Sequence, residues 1–239
     1  MLITTKAIVI SSVKYGDADL IVTCFTQNNG LKSYLLKNIL KAKKSSLKPS
    51  LFQPLMLLEI VANHREKSAL HYIKEAKVAS HSHSIHTDIA KTALVLFLSE
   101  VIKQCIKEEE ENPTLYFFLE NSVLWLEAHQ YIADFHLIFL LKLSEILGFY
   151  PDVSTIENPV FNPVEGVFQR DVTNIYCVKL NQDSVFKKLF SLSYSETKPL
   201  QISKPERAKT LDLFLLYFQL HIQGFRTPKS LAVLHQIFH

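Results

Sequence analysis

A run of lysines in the first third of the chain is the feature whose chemistry is easiest to name. The stretch YLLKNILKAKKSSLKP, residues 34–49, holds five lysines and no carboxylate, and the next acid is Glu59. Ammonium groups at this density suit a row of phosphates, because each lysine that neutralises a phosphate releases a counterion. Such contacts give affinity with little sequence preference. The predicted phosphate-binding set is Lys37, Lys41, Lys43, Lys44 and Lys48, with Lys32 just before it.

The uneven distribution of charge along the chain supports the same interpretation. The net charge is only +3 over 239 residues, yet residues 1–80 carry twelve Lys and Arg against five Asp and Glu. Residues 81–239 carry fourteen against eighteen. An excess of cations in one part of a chain indicates a polyanionic partner for that part. The alternative is a solvated loop that only keeps the protein soluble.

Aromatic residues flank the lysines. Tyr34 and Phe52 lie on either side of the run, and Tyr15 lies earlier in the chain. Rings at the mouth of a barrel would stack unpaired bases at about 1–3 kcal/mol per base. We therefore predict that Tyr34 joins the lysines in a nucleic-acid site.

Other site chemistries have weaker signals. His81, His83 and His86 are spaced closely enough to hold zinc or nickel, but a polar linker is the favoured explanation, because serines alternate with the histidines and no cysteine lies near. The chain has five glycines and no glycine-rich nucleotide-binding loop. It also lacks a nucleophile motif in a supporting context. These observations predict a protein that is not an enzyme and that uses no metal or cofactor.

The cysteines and the hydropathy pattern indicate the compartment. Cys24, Cys105 and Cys177 lie far apart, which predicts three reduced thiols in a cytoplasmic protein. No uncharged apolar run approaches the roughly 18 residues of a membrane span. The first ten residues lack the pattern of a signal peptide. We therefore expect no membrane partner.

Five strands are predicted before residue 80, and they place the lysines on a loop. The segments are KAIVISSVKY, LIVTCFT, LKSYLL, PLMLLEIVAN and ALHYIKEAKVA. They are rich in β-branched and aromatic residues, and turn signals at Gly16-Asp17 and Asn29-Gly30 separate the first three. Five short strands with a long basic loop between the third and fourth fit a small closed barrel. In the oligonucleotide-binding (OB) barrel, one face and its loops bind nucleic acid.

After about residue 82 the apolar residues recur with a helical period. Asn112-Pro113 and the capping box Ser203-x-x-Glu206 mark two helix starts. Residues 149–176 hold three prolines and little periodicity. The predicted fold class is α+β: an OB-fold five-stranded barrel at residues 1–80, then an α-helical bundle domain at residues 81–239 with an irregular insert at about 149–176.

The segment from Thr4 to Val61 resembles the N-terminal domain of the bacterial RecO family. The segment DFHLIFLLKLSEILGFYPD resembles the start of that family's central helical region, so the resemblance covers nearly the whole chain in order and length. The matching features of the first segment are Ala7-Ile8-Val9, Tyr15-Gly16-Asp17, Leu20-Ile21-Val22, Phe25-Thr26, Gly30, the basic loop and Gln53-Pro54-Leu55.

The resemblance implies a DNA repair and recombination mediator that is not an enzyme. It implies binding to single- and double-stranded DNA and annealing of complementary strands. It also implies that the chain works with RecR to load RecA onto strands coated by single-strand-binding protein (SSB), whose acidic C-terminal tail the family contacts. The implied location is the cytoplasm, at the nucleoid.

The sequence departs from the family at two places. Many RecO proteins hold zinc with four cysteines after the central helix, whereas YPDVSTIENPVFNPVEGVFQRD has none, so we expect no zinc. Asn38 stands where the family usually has glycine, and asparagine tolerates positive φ better than other non-glycine residues. The family's tail pocket needs a cation for a carboxylate beside an apolar slot. Lys142 and Arg170 are the predicted cations.

Two other functions stay open at the level of the sequence. A protein-interaction scaffold would hold an acidic partner segment on the barrel and would never meet DNA. A metal-dependent hydrolase would use the histidine cluster to bind its metal.

Overall fold

The chain forms two compact units. The first comprises residues 1–129 with 228–230, and the second comprises residues 130–227 with 231–239. A computed structural model of the chain describes residues 1–41, 47–64, 69–80, 84–107, 110–192 and 202–238. Lys43, Lys44, His81 and His83, which the sequence singles out, lie outside the described residues.

The first unit begins with the closed five-stranded barrel predicted from the sequence, and helices follow it in the predicted order. Around the barrel the strands follow the order β1-β2-β3-β5-β4, and β1 closes it by pairing with both β2 and β4. β3 and β5 pair in parallel, whereas the other neighbours pair antiparallel. The strands are β1 (Leu2–Tyr15), β2 (Asp19–Thr26), β3 (Gly30–Leu36), β4 (Leu57–Asn63) and β5 (Leu70–Val78).

Strand alternation fills the interior of the barrel. Val22 and Cys24 of β2 and Tyr34 and Leu36 of β3 point inward and are almost inaccessible to solvent. The register of β1 shifts between Val9 and Ser11. Such a bulge bends a strand, which lets β1 turn from β4 to β2. Burial raises the pKa of the Cys24 thiol to about 12, so this cysteine is a protonated core residue.

In the described part of the first unit, two α-helices follow the barrel: α1 (Ile89–Cys105) and α2 (Pro113–Ala128). Asn112 caps α2 as predicted, because its side chain accepts a hydrogen bond from the Leu115 N–H at 3.0 Å. The helix is attached to the barrel by an ion pair of 3.2 Å between Lys6 and Glu120. The division into domains at residues 80 and 81 stays a prediction.

The second unit contains four helices among its described residues: α3 (Phe135–Ile146), α4 (Val185–Leu189), α5 (Lys204–His221) and α6 (Leu231–Phe238). The predicted capping box of Ser203 and Glu206 opens α5. A buried ion pair joins α3 to α5, with Arg207 Nε 2.8 Å from Asp134 Oδ1. Arg207 also donates to the Phe238 carbonyl of α6 at 2.8 Å. Throughout the described parts of both units, no helix is long and apolar enough to cross a membrane.

The region between α3 and α4, expected to be irregular, carries a small three-stranded sheet of order β7-β6-β8. Its strands are β6 (Val160–Asn162), β7 (Val167–Gln169) and β8 (Val178–Lys179). They are too short to show a period in the sequence. Phe161 and Phe168 pack with Phe186 of α4, with ring centroids 4.8–6.3 Å apart. This aromatic cluster supplies the core of a region that is rich in polar residues.

Candidate nucleic-acid interface

The basic loop leaves the barrel directly after β3, and its first residues are fixed in place. Asn38 has a φ of 57°, the left-handed conformation that the sequence led us to expect there. Its backbone N–H donates to Asp19 Oδ1 at 2.7 Å, and the Leu40 N–H donates to the Ala18 carbonyl at 2.9 Å. The turn between β1 and β2 therefore holds the start of the loop at one end of the barrel.

Lys37, Lys41 and Lys48 are exposed to solvent. Lys48 is followed by a 3-10 helix, Pro49–Phe52, and the ring of Phe52 is only 1% exposed. Phe52 therefore anchors the far end of the loop and is not available to stack on a base. Within the residues that the structure describes, none of the three lysines forms an ion pair with a carboxylate. Their charges are available to an external anion.

Lys32 and Tyr34 do not belong to this surface. They share the inward face of β3 with Leu36, because side chains alternate along a strand. Lys32 is half-buried and lies five residues from Lys37, about 17 Å along the strand. Tyr34 is 0% exposed. The prediction that its ring stacks on a base is therefore wrong, because the register turns it into the core.

Tyr34 instead belongs to a polar cluster inside the barrel. Its Oη lies 3.0 Å from His64 Nε2, and the rings of His64 and His71 stack with centroids 4.5 Å apart. The pKa of His64 is lowered to about 4 by burial first, and then by electrostatic interactions with His71, Lys32 and the Met1 amino group. His64 is therefore neutral at neutral pH, and the cluster acts as a polar part of the core.

The outer surface of the barrel carries an apolar row. In the strand register Val13 lies opposite Ile21, and Ile21 lies opposite Leu35. The parallel register of β3 and β5 pairs Tyr34 with His71, so Tyr72 follows beside Leu35 at the next position along the two strands. Val13 is 53% exposed, and the other three are half-buried. We call Val13, Ile21, Leu35 and Tyr72 the outer row.

Tyr15 and Lys37 border the outer row at the end where the basic loop starts. Tyr15 lies opposite Asp19, one step beyond Val13 on the same face, and it is 56% exposed. Lys37 follows the outward-facing residues of β3, and its Nζ lies 5.8 Å from the centroid of the Tyr72 ring. Tyr15 and Lys37 are two strand spacings apart, about 10 Å. We call these two residues and the outer row together the outer barrel face.

The two predicted tail-binding cations, both in the second unit, have different surroundings. Lys142 Nζ lies 3.0 Å from Glu145 Oε2 on the same helix, so a carboxylate already balances part of its charge. Arg170 is exposed just after β7. Among the described residues, no hydrogen bond or ion pair links the two side chains. Their role stays a prediction.

The second unit also contains a groove of about 620 Å³, which neither Lys142 nor Arg170 lines. It lies between the β8–α4 segment and α5. Its apolar lining consists of Val178, Leu180, Val185, Phe186, Leu213 and Leu216.

His86 is the member of the histidine cluster that the structure describes. Burial lowers its pKa, and the Glu127 carboxylate acts in the opposite direction. Over the described ranges, no group of three or more His, Cys, Asp and Glu side chains is arranged to hold a metal ion.

Comparisons with known proteins cover both parts of the chain. The family model described as "Recombination protein O N terminal" matches residues 1–81, and the one described as "Recombination protein O C terminal" matches residues 86–159. The chain is 45% identical over 238 residues to a protein of Christiangramia forsetii, 43% identical over 238 residues to one of Flavobacterium psychrophilum, and 35% identical over 242 residues to one of Bacteroides fragilis. Each alignment covers 100% of both chains, and all three proteins are named DNA repair protein RecO. The chain belongs to the RecO family.

Membership of the RecO family confirms the resemblance seen in the sequence, and the barrel matches the fold expected for it. The RecO N-terminal model ends at residue 81, three residues after β5. The outer row was missed in the sequence analysis. The sequence does contain an indication of this row. The first three strands carry apolar residues on their outward faces, namely Val13, Ile21 and Leu35, in addition to those on their inward faces.

Proposed function

We propose that this member of the RecO family is a DNA repair and recombination mediator. It binds single- and double-stranded DNA without sequence specificity, and it anneals complementary strands. The observation that carries the proposal is the exposure of Lys37, Lys41 and Lys48, without carboxylate partners among the described residues, on one loop of an OB-fold barrel. Lysine ammonium groups act as point charges, so they hold phosphates and do not read bases.

Annealing needs no bond to be made or broken by the protein. Two complementary strands repel each other through their phosphates, and a cationic surface offsets this repulsion while raising the local concentration of both strands. Lys43 and Lys44 belong to the same loop in the sequence and would extend the cationic surface. In this proposal the protein is not an enzyme and requires no cofactor.

The proposed partners follow from membership of the RecO family. RecR would act with this protein to load RecA onto single strands coated by SSB. The acidic tail of SSB would bind the helical region, with Lys142 and Arg170 as the candidate cations. These encounters would take place in the cytoplasm, at the nucleoid.

The test is a titration of a fluorescently labelled oligonucleotide, followed by anisotropy at several salt concentrations. Replacing Lys37, Lys41 and Lys48 together by alanine removes up to three phosphate contacts. The slope of log K against log salt should then become flatter by about 2 for a single strand and by about 3 for a duplex. Unchanged affinity and slope in the folded triple variant would refute the role of the loop.

A matched control keeps the number of lost charges constant. Lys179, Lys204 and Lys209 are exposed lysines of the second unit, and their triple alanine variant should keep the slope of the unmodified protein. The same titration tests the alternative of a protein-interaction scaffold, which predicts no oligonucleotide binding even at low salt. Metal analysis of the purified protein tests the hydrolase alternative, which predicts a stoichiometric metal ion.

A further inference from the structure

We infer that the outer barrel face selects unpaired strands, with Tyr15 and Tyr72 stacking on bases while Lys37 holds the backbone. This inference rests on the proposed function and adds to it a structural source of preference for single-stranded DNA. The lysines of the loop would bind single strands and duplexes alike, whereas the tyrosines would bind only a strand whose bases are unpaired.

The outer barrel face exposes apolar surface at a place where water would favour polar side chains. A single exposed apolar residue is ordinary on a protein surface, but a contiguous exposed patch usually marks a binding site. Here Val13 is 53% exposed and Tyr15 is 56% exposed. The strand register places Ile21, Leu35 and Tyr72 in a continuous row with Val13.

The outer barrel face also combines aromatic rings with a cation. Single-strand sites combine a basic surface that follows the backbone with aromatic rings on which bases stack. Tyr15 lies on β1 and Tyr72 lies on β5, three strand spacings or about 14 Å apart. Ile21 and Leu35 fill the interval with apolar surface. A strand crossing the face would therefore meet a ring at each end and aliphatic side chains between them.

Lys37 takes part in both the contacts to aromatic rings and the contacts to phosphates. In the free protein its ammonium group lies 5.8 Å from the centroid of the Tyr72 ring. Such a cation–π contact at a partly exposed site is weak. A base can therefore replace the ammonium group on the ring, and the displaced ammonium group can then pair with the adjacent phosphate.

A duplex cannot use this face in the same way. Its bases are paired and stacked inside the helix, and exposing one requires the loss of both pairing and stacking. The duplex therefore offers its phosphates to the lysines and no free base to Tyr15. The tyrosines should contribute to the affinity for a single strand and contribute nothing to the affinity for a duplex.

The test compares three probes of equal length: a thymidine tract, an abasic tract with the same phosphates, and a duplex. Tyr15→Ala should weaken binding to the thymidine tract by about 5- to 150-fold, which corresponds to the loss of one stacked base. Binding to the abasic tract and to the duplex should stay within about twofold. Tyr15→Trp should restore binding, and its added fluorescence should be quenched by the thymidine tract only.

The control variant is Tyr176→Ala, which removes a comparably exposed tyrosine (41%) from the second unit and should change none of the three affinities. Tyr72→Leu is the second test variant, because it keeps an apolar side chain at a half-buried position and should also lower the affinity for the thymidine tract alone. Circular dichroism confirms that each variant is folded.

The inference is overturned if Tyr15→Ala and Tyr72→Leu bind the thymidine tract as the unmodified protein does. It is equally overturned if they lose affinity for all three probes in the same proportion. Failure of the proposed function looks different, because either the unmodified protein would then bind none of the three probes or the lysine variant would bind all three normally, whatever the tyrosine variants do.

Discussion

Replacement of Asp134 by asparagine should strongly destabilise the second unit. Asp134 is 4% exposed and its partner Arg207 is 6% exposed. Removing one partner of a buried ion pair costs about 3–5 kcal/mol, because the remaining charge is left uncompensated. Arg207 keeps two carbonyl acceptors, those of Phe238 at 2.8 Å and Ile202 at 3.3 Å. These bonds offset part of the loss, so we expect about 3 kcal/mol for Asp134→Asn.

Thermal unfolding followed by circular dichroism measures this effect. At about 2–4 °C per kcal/mol for a chain of this size, the midpoint should fall by about 6–12 °C. The control is Tyr131→Phe, which removes the hydrogen bond of 3.0 Å from the Tyr131 hydroxyl to Asp134 and leaves the ion pair of Asp134 with Arg207 in place. It should cost about 1 kcal/mol.

A double variant separates the ion pair from its surroundings. Asp134→Asn combined with Arg207→Met leaves no buried charge, so its loss of stability should be smaller than the sum of the two single losses. A coupling of about 1–3 kcal/mol is expected for side chains in direct contact. A change below about 0.5 kcal/mol for Asp134→Asn, or strictly additive losses, would show that the pair is solvated and would refute this reasoning.

Three further predictions concern single positions. Asn38→Val should cost about 1–3 kcal/mol, because a β-branched residue is strained at a φ of 57°, whereas Asn38→Gly should be neutral or stabilising; thermal unfolding of both variants checks this. The folded pKa of His64 is about 4, below its ordinary value of 6.5, so the folded state binds fewer protons than the unfolded state between these values. Stability should therefore be lost as pH falls from about 6.5 to 4, by at most about 1 kcal/mol for this half-exposed ring, and His64→Gln should reduce the loss in urea titrations. Gly166→Ala should lower the unfolding midpoint, because φ is +69° there and an added Cβ would lie 2.6 Å from Tyr217 Oη; a midpoint equal to that of the unmodified protein would contradict this.

The parts of the fold that were predictable are those with a local cause. Five strand segments, the N-cap of Asn112 and the capping box of Ser203 depend on residues within a few positions of one another, and the structure confirms each. The positive φ of Asn38 was expected from the resemblance to the RecO family, because the family usually has glycine at this position and asparagine tolerates positive φ.

The parts that were not predictable depend on register or on distant contacts. The sequence of β3 alone does not show which of its two faces lies against the core. The register of the strand determines this, and it places Tyr34 in the core and Lys37 in solvent. The ion pair of Asp134 with Arg207 joins residues 73 positions apart. The outer row assembles from four strands, so it becomes visible only when their registers are known.

The double pairing of β1 has a consequence for synthesis of the protein on the ribosome. Residues 2–8 of β1 pair with β4, whose last residue is Asn63. At about 5–20 residues per second, translation finishes β4 roughly 2–10 s after Tyr15 has been added. During this interval the nascent chain can form the β1–β2 and β2–β3 hairpins, but one edge of β1 remains open to strands of other chains. Synthesis of β4 therefore closes this edge of β1, whereas the free edges of β3 and β4 stay open until β5 has been made.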